Sequence, residues 1–112
     1  MTEQIFKALG DATRLRMVSL LMQRELCVCE IMDILNMSQS NVSRHLTILK
    51  NAGVLSGRKQ AQWAYYQISE TFPKELYQYL SRTLPQTSTY PEDMMRLGNC
   101  KAADHCEHTI VE

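Results

Sequence analysis

Two of the four cysteines in this 112-residue chain are separated by a single valine. They are Cys27 and Cys29, in the segment ELCVCEI. Side chains two residues apart point about 200° away from each other on a regular helix, whereas on a strand they share a face. At the first turn of a helix the backbone is not yet regular, so both sulfurs can turn to one side, where the N-terminal amides favour thiolate. The pair could therefore chelate a soft ion, or it could be two buried structural thiols.

A second group of possible ligands lies near the C-terminus. Cys100 and Cys106 occur there with His105 and His108, in the segment CKAADHCEH. No signal peptide is visible, and no apolar run approaches the roughly 20 residues that span a membrane, so we expect a cytoplasmic protein. In that setting the cysteines suggest metal binding or redox chemistry. The second group could give a third thiolate to the first pair, bind metal by itself, or be incidental.

The charges are distributed unevenly although they sum to zero. The chain has 12 Lys and Arg and 12 Asp and Glu. Residues 38–67 nevertheless contain Arg44, Lys50, Arg58 and Lys59 and no acidic residue. A segment with only basic charges indicates a surface that contacts nucleic acid.

The hydrophobic pattern predicts one domain over residues 1–84 that is mainly α with a β-hairpin. Helices are predicted over residues 3–9, 12–23, 30–36, 39–52 and 72–84, and strands over residues 54–56 and 63–68. Asp11 and Ser38 have the side chains of helix N-caps, and Gly53 stands where a helix should end. Residues 85–112 are expected to form a mobile tail that contains one short helix.

The helices over residues 30–36 and 39–52 are joined by a short turn, which predicts a helix-turn-helix whose second helix enters the major groove. The hairpin that follows predicts a wing with two cations at its tip, which makes the fold a winged helix-turn-helix. The predicted DNA contacts are Gln39, Ser40, Asn41, Ser43, Arg44, Arg58 and Lys59. His45 lies beside the buried face, and we expect it to be a structural, hydrogen-bonded side chain.

Both terminal helices have apolar stripes. These stripes could belong to the core of one chain, or they could leave apolar surface that a second copy covers. A homodimer through these helices would present two recognition helices, about 34 Å apart, to two half-sites in DNA.

Several of these segments together resemble the ArsR/SmtB family. ELCVCEI is similar to the family's arsenite box, and VSRHLTILKNAGVL resembles its recognition helix and exit. The resemblance covers about residues 3–84. It implies a homodimeric winged-helix repressor that binds an inverted repeat in double-stranded operator DNA and leaves it when As(III) or Sb(III) binds. It also implies that Cys27 and Cys29 are the sensing thiolates; no organic cofactor is expected.

One position departs from the family pattern. The best-known arsenic repressors have a third cysteine three residues after the second, and Met32 stands there in this chain. A thioether binds As(III) far more weakly than a thiolate does. The site would then use two sulfurs, or take a third from Cys100 or Cys106. The segment PKELYQYLSRTL also lacks the Asp and His pair of the family's zinc-binding members, so we do not expect that zinc site.

Two other classes of function are less consistent with the pattern. A redox switch on DNA would oxidise Cys27 and Cys29 or the cysteines near the C-terminus, and a disulfide between cysteines one residue apart should be strained. A metal-binding protein that does not bind DNA would not explain the acid-free residues 38–67. We expect no enzyme, because no Ser–His–Asp set, phosphate loop or paired carboxylates are evident.

Overall fold

The computed structural model describes residues 2–100. Over that range the chain forms helices, a small antiparallel sheet and a 3₁₀ turn at Leu84–Gln86. In chain order the other elements are α1 (Thr2–Leu9), α2 (Ala12–Leu21), β1 (Leu26–Cys27), α3 (Val28–Leu35), α4 (Gln39–Asn51), β2 (Leu55–Gln60), β3 (Trp63–Ile68), α5 (Lys74–Thr83) and α6 (Tyr90–Asn99). The mainly helical fold with a β-hairpin is therefore confirmed.

Local side-chain chemistry determines where the central helices begin and end. The carboxylate of Asp11 accepts the backbone N–H of Thr13 at 2.8 Å, at the start of α2. The hydroxyl of Ser38 accepts the N–H of Asn41 at 3.3 Å, at the start of α4. Gly53 follows α4 with a φ of 85°, a left-handed conformation that favours glycine. Each of these three residues has the role that its type predicts.

The sheet has the strand order β1-β3-β2, and all its pairs are antiparallel. Strand β1 was not predicted, because a two-residue strand has no pattern of its own and exists only by pairing with β3. Strand β2 is longer than predicted and continues to Gln60, so the hairpin turns at Ala61 and Gln62. The prediction that Arg58 and Lys59 lie at the tip of the hairpin is therefore wrong, because both residues lie within β2.

The core lies between α2, α3 and α4 and extends onto the sheet. Its fully buried apolar side chains include Met17, Val18, Leu20, Leu26, Ile31, Ile34, Val42, Leu46, Leu49 and Val54. These helices cannot move independently, because close packing transmits displacement between neighbours. Among the described helices, none is long and apolar enough to cross a membrane.

The predicted domain boundary at residue 84 is corrected by α6, which packs against α2 and α3. The guanidinium of Arg16 on α2 donates to both carboxylate oxygens of Asp93, at 2.9 and 3.0 Å, and Asp93 is only 2% exposed. Arg96 donates to the carbonyl of Ile34, at the end of α3, at 3.1 Å. Residues 85–100 therefore belong to the folded domain, and the remainder of the predicted tail lies outside the described residues.

Candidate sulfur site and nucleic-acid interface

The two closely spaced cysteines lie where β1 ends and α3 begins. Cys27 is the last residue of β1 and the N-cap of α3, with extended backbone angles, while Cys29 lies in the first turn of the helix. Their side chains are 1% and 5% exposed. The change from extended to helical backbone places both on one side, which a continuous helix would not do.

Both cysteines are disulfide-bonded in the structure, and Cys100 is a free thiol. The chain has four cysteines, and Cys106 could form a disulfide with only one of the two. Cys27 and Cys29 are therefore bonded to each other. The structure thus joins two cysteines one residue apart at a strand-to-helix junction. The two sulfurs are close enough to act on one ligand when they are reduced.

A buried carboxylate holds this junction in place. Glu30, only 1% exposed, accepts the backbone N–H of Cys27 at 2.9 Å through one oxygen. Its other oxygen pairs with Arg24 at 3.2 Å. A buried charge is costly unless it is paired and hydrogen-bonded, and Glu30 satisfies both conditions. The first turn of α3 is thus fixed relative to the chain that precedes it.

A small hollow of about 140 Å³ connects the sulfur pair to α4. We call it the sulfur hollow; its lining residues are Cys27, Val28, Cys29, Gln39, Ser43, Gln62, Trp63, Ala64 and Tyr66. Trp63 and Tyr65 pack against the two cysteines as a separate small cluster beside the main core. Gln39 and Ser43, both predicted DNA contacts, therefore share a cavity with the predicted sensing cysteines.

The other candidate sulfur ligands in the described part of the chain pack in the main core and not in the small cluster around the pair. Cys100 is buried in the main core at the end of α6, where burial raises the pKa of its thiol to about 11. Met32 also packs against the main core. Within residues 2–100 no group of three or more His, Cys, Asp or Glu side chains could hold a metal ion. Cys106, His105 and His108 lie outside the described residues.

The polar face of α4 is available to a partner. Gln39, Ser40, Asn41 and Arg44 are exposed, and Ser43 is half-buried. Helix α4 has no acidic residue, so its N-terminal amides and Arg44 together present positive charge. This face matches the predicted position of the recognition helix, and its side-chain types are those that contact bases and phosphates.

Beneath that face, His45 is 6% exposed and lies between two arginines. Its Nδ1 is 3.1 Å from Arg14, and its Nε2 is 3.4 Å from Arg44. Burial, together with the positive charge of Arg44, lowers the pKa of His45, so the neutral ring is favoured. Arg14 also donates to the carbonyl of Ala8 on α1 at 2.6 Å. His45 is therefore the structural side chain that we expected, and it connects α4 to α1 through Arg14.

The two predicted wing cations differ in their surroundings. Arg58 donates to both oxygens of Glu25 at 2.8 Å, and its guanidinium carbon lies 4.7 Å from the centre of the Tyr65 ring. The carboxylate beside it raises the pKa of Arg58, and the guanidinium lowers the pKa of Glu25. Lys59 is exposed and, as the next residue along the strand, points to the opposite face.

Sequence reasoning did not identify Glu25, Glu30, Trp63 or Tyr65 as part of either site. Glu30 had a usable signal, because a Glu three residues after an N-cap is typical of a capping box. Glu25 had none, since it lies outside the acid-free segment in the sequence and reaches Arg58 only through the pairing of β1 with β3. Residues 38–67 contain no acidic residue, but in the folded chain the carboxylate of Glu25 lies against Arg58 of this segment.

Residues 11–56 match the model of the family described as "Bacterial regulatory protein, arsR family". The chain is 42% identical over 97 residues to the arsenic resistance transcriptional regulator ArsR2 of Pseudomonas putida, a match covering 85% of this chain and 84% of that protein.

Two further similarities concern another relative and a solved structure. The chain is 46% identical over 71 residues to the arsenical resistance operon repressor of Escherichia coli, covering 62% of this chain and 61% of that one. A solution structure of the homodimeric winged helix-turn-helix domain Mb0332 from Mycobacterium bovis superposes with a TM-score of 0.65 at 24% identity. The superposition covers 81% of this chain and 82% of the Mb0332 chain. The winged helix-turn-helix fold is therefore confirmed.

Proposed function

This chain belongs to the ArsR family of bacterial transcriptional regulators, and on that basis we propose that it is a repressor released from operator DNA by As(III) or Sb(III). The main support is that folding brings the sulfurs of Cys27 and Cys29 together beside the helix that presents an acid-free polar face. A repressor of this kind acts on double-stranded DNA in the cytoplasm. Its relatives are regulators, and the proposal requires no enzymatic activity.

Arsenic would bind the pair in its reduced form. Arsenous acid, As(OH)₃, can exchange two hydroxides for the two sulfurs, and each hydroxide leaves as water with a thiol proton. Trivalent arsenic and antimony prefer soft sulfur ligands to the hard carboxylates nearby. The buried pair fits this chemistry with two sulfurs, whereas Cys100 packs in the main core, where burial raises the pKa of its thiol.

The sulfur hollow provides a physical route from ligand to DNA. An effector shifts an equilibrium only by its differential affinity for two conformations. Drawing the first turn of α3 towards a bound ion would move Cys27 and Cys29 relative to Gln39 and Ser43, which line the same hollow. A coupling free energy of about 1–3 kcal/mol, typical of allosteric sites, would weaken operator binding about 5- to 150-fold.

The proposal includes a homodimer on an inverted repeat. An apolar groove between α1 and α5 is lined by Ile5, Phe6 and Leu76, and Phe6 remains 58% exposed. Leu80 is 6% exposed and belongs to the chain's own core. Phe6→Asp should therefore give a folded monomer in sedimentation experiments, while Leu80→Asp should unfold the chain. A dimeric Phe6→Asp protein would contradict this choice of interface.

The sensing model is tested by titrating arsenite into a complex with DNA that the wild-type protein selects from a random-sequence pool. Cys27→Ser and Cys29→Ser should each bind that DNA normally and lose arsenite-induced release, because one thiolate cannot chelate. Cys100→Ser is the matched control and should still be released. Full release of the Cys27→Ser protein would refute the model.

The number of sulfur ligands needs a separate measurement. X-ray absorption of the arsenite complex counts the sulfurs bound to arsenic. A third sulfur that is lost in the Cys100→Ser, Cys106→Ser double variant would assign the additional ligand to one of those cysteines. Two sulfurs in both proteins would show that Cys27 and Cys29 are sufficient.

A thiol redox switch on DNA is the second candidate, and the disulfide between Cys27 and Cys29 specifically favours it. Here an oxidant such as a peroxide would remove two electrons and two protons from the thiols. Release of the DNA by peroxide, reversed by a dithiol reductant, with no response to arsenite, would favour this switch over metalloid sensing.

A further inference from the structure

We propose that Glu25 competes with DNA phosphate for Arg58, so that closing the sulfur pair withdraws a wing cation from the DNA. This inference rests on the proposed function and specifies how its site is coupled to the wing. It depends on a row of side chains that crosses the three strands, on the double contact between Glu25 and Arg58, and on the position of Glu25 in the chain.

The row begins at the sulfur pair. Cys27 in β1 lies directly opposite Tyr65 in β3, and Tyr65 lies directly opposite Arg58 in β2. Residues directly opposite in antiparallel strands have their side chains on the same face of the sheet. Cys27, Tyr65 and Arg58 therefore lie side by side on one face. The aromatic ring touches the cysteines at one side and the guanidinium at the other.

The end of the row is held by Glu25. Both carboxylate oxygens accept from Arg58, at 2.8 Å each, in the two-pronged geometry that arginine forms with carboxylates. The carboxamide oxygen of Gln60 accepts a further N–H of Arg58 at 2.7 Å. A DNA phosphate would need the same donors, so Arg58 cannot serve Glu25 and phosphate fully at the same time. Lys59 has no ion pair of this kind among the described residues.

Glu25 responds to the sulfur pair through the chain itself. It precedes Cys27 by two residues, and the N–H of Cys27 is fixed by the buried Glu30. Any movement of Cys27 towards a shared ligand is transmitted along the chain to Glu25. It is also transmitted across the sheet to Tyr65, which lies opposite Cys27. In the structure the sulfurs are joined and the Glu25–Arg58 pair is formed. An opened pair would displace Glu25 and leave Arg58 to bind phosphate.

The test measures the salt dependence of DNA affinity with and without arsenite, on the selected duplex described above. Each phosphate contact contributes about 1 to the slope of log affinity against log salt. In the presence of arsenite, the salt slope of the Glu25→Gln protein should be steeper than that of the wild type by about 1, because the neutral amide no longer holds Arg58. Arsenite should also lower the DNA affinity of this variant by a smaller factor than it lowers that of the wild type. Glu70→Gln, which removes the same charge from an exposed position, is the matched control and should behave as wild type.

Arg58→Ala separates this local competition from a general change in charge. If Glu25 acts through Arg58, Glu25→Gln should have no further effect on the slope in the Arg58→Ala background. An equal effect in both backgrounds, or a Glu25→Gln protein that arsenite releases as it does wild type, would overturn the inference. Failure of arsenite to release the wild-type protein would instead refute the proposed function on which the inference rests.

Discussion

The recognition helix α4 and the wing formed by β2 and β3 both present basic side chains, but they are supported in different ways. Helix α4 rests on the core through Val42, Leu46 and Leu49, and its polar face is exposed. In the wing, Arg58 is 47% exposed and is held by a carboxylate from a distant part of the chain. The helix is therefore a fixed element, whereas the wing cation has a partner that another anion could replace.

This difference suggests a division of roles. A fixed helix can place side chains against base edges with the accuracy that sequence readout requires. A surface cation can exchange a carboxylate for a DNA phosphate, because surface ion pairs contribute little stability and are weakened by salt. Such a cation is suited to a DNA contact that forms in one state of the protein and not in the other. We expect α4 to determine which DNA is bound, and the wing to add a phosphate contact that differs between the two states.

The largest effect is expected from the helix. Arg44→Ala should weaken binding to the selected DNA by about 1–3 kcal/mol and relax its sequence preference, if Arg44 contacts a base edge. The domain should remain folded, because Arg44 projects from the exposed face of α4. Arg82→Ala, at an exposed position on α5, is the control and should bind as wild type. Equal losses of affinity for selected and random duplexes would show that Arg44 contacts only phosphate.

A smaller and more uniform effect is expected from the wing. Arg58→Ala and Lys59→Ala should each weaken binding to all sequences about equally and reduce the salt slope of the arsenite-free protein by about 1. Binding measured on selected and random duplexes over a range of salt concentrations tests this. If the double variant kept the wild-type affinity and slope, the assignment of the wing to DNA would be wrong.

The smallest effect concerns the support of α4 and depends on pH. Because the pKa of His45 is lowered in the folded protein, the unfolded chain takes up the proton first as pH falls below the ordinary value of 6.5. Stability should therefore be complete above that value and decrease below it. Urea unfolding at about pH 7.5 and about pH 5.5 should show a smaller loss for His45→Gln than for wild type. Both proteins keep the other two histidines, and equal losses would exclude His45 as the cause.

Much of the fold follows from short stretches of sequence. Asp11, Ser38 and Gly53 determine helix ends through their own hydrogen bonds and backbone preferences. The spacing of Val42, Leu46 and Leu49 determines the buried face of α4, and so the exposed face opposite it. The roles of the predicted DNA contacts remain predictions, but their placement on one helix and one hairpin could be inferred locally, because each depends on residues only a few positions away.

Tertiary structure decided the rest, and in each case the reason is a contact between distant residues. Strand β1 exists only because β3 lies beside it, and that pairing places Cys27 in line with Tyr65 and Arg58. Glu25 reaches Arg58 across 33 positions of sequence, and Asp93 reaches Arg16 across 77, so neither charge pair has a local pattern. The sequence by itself determined which residues could bind sulfur-seeking ions and DNA. The packing of the sheet on α3 decided which of those residues meet, because side chains far apart in the chain become neighbours only when the core that joins them is formed.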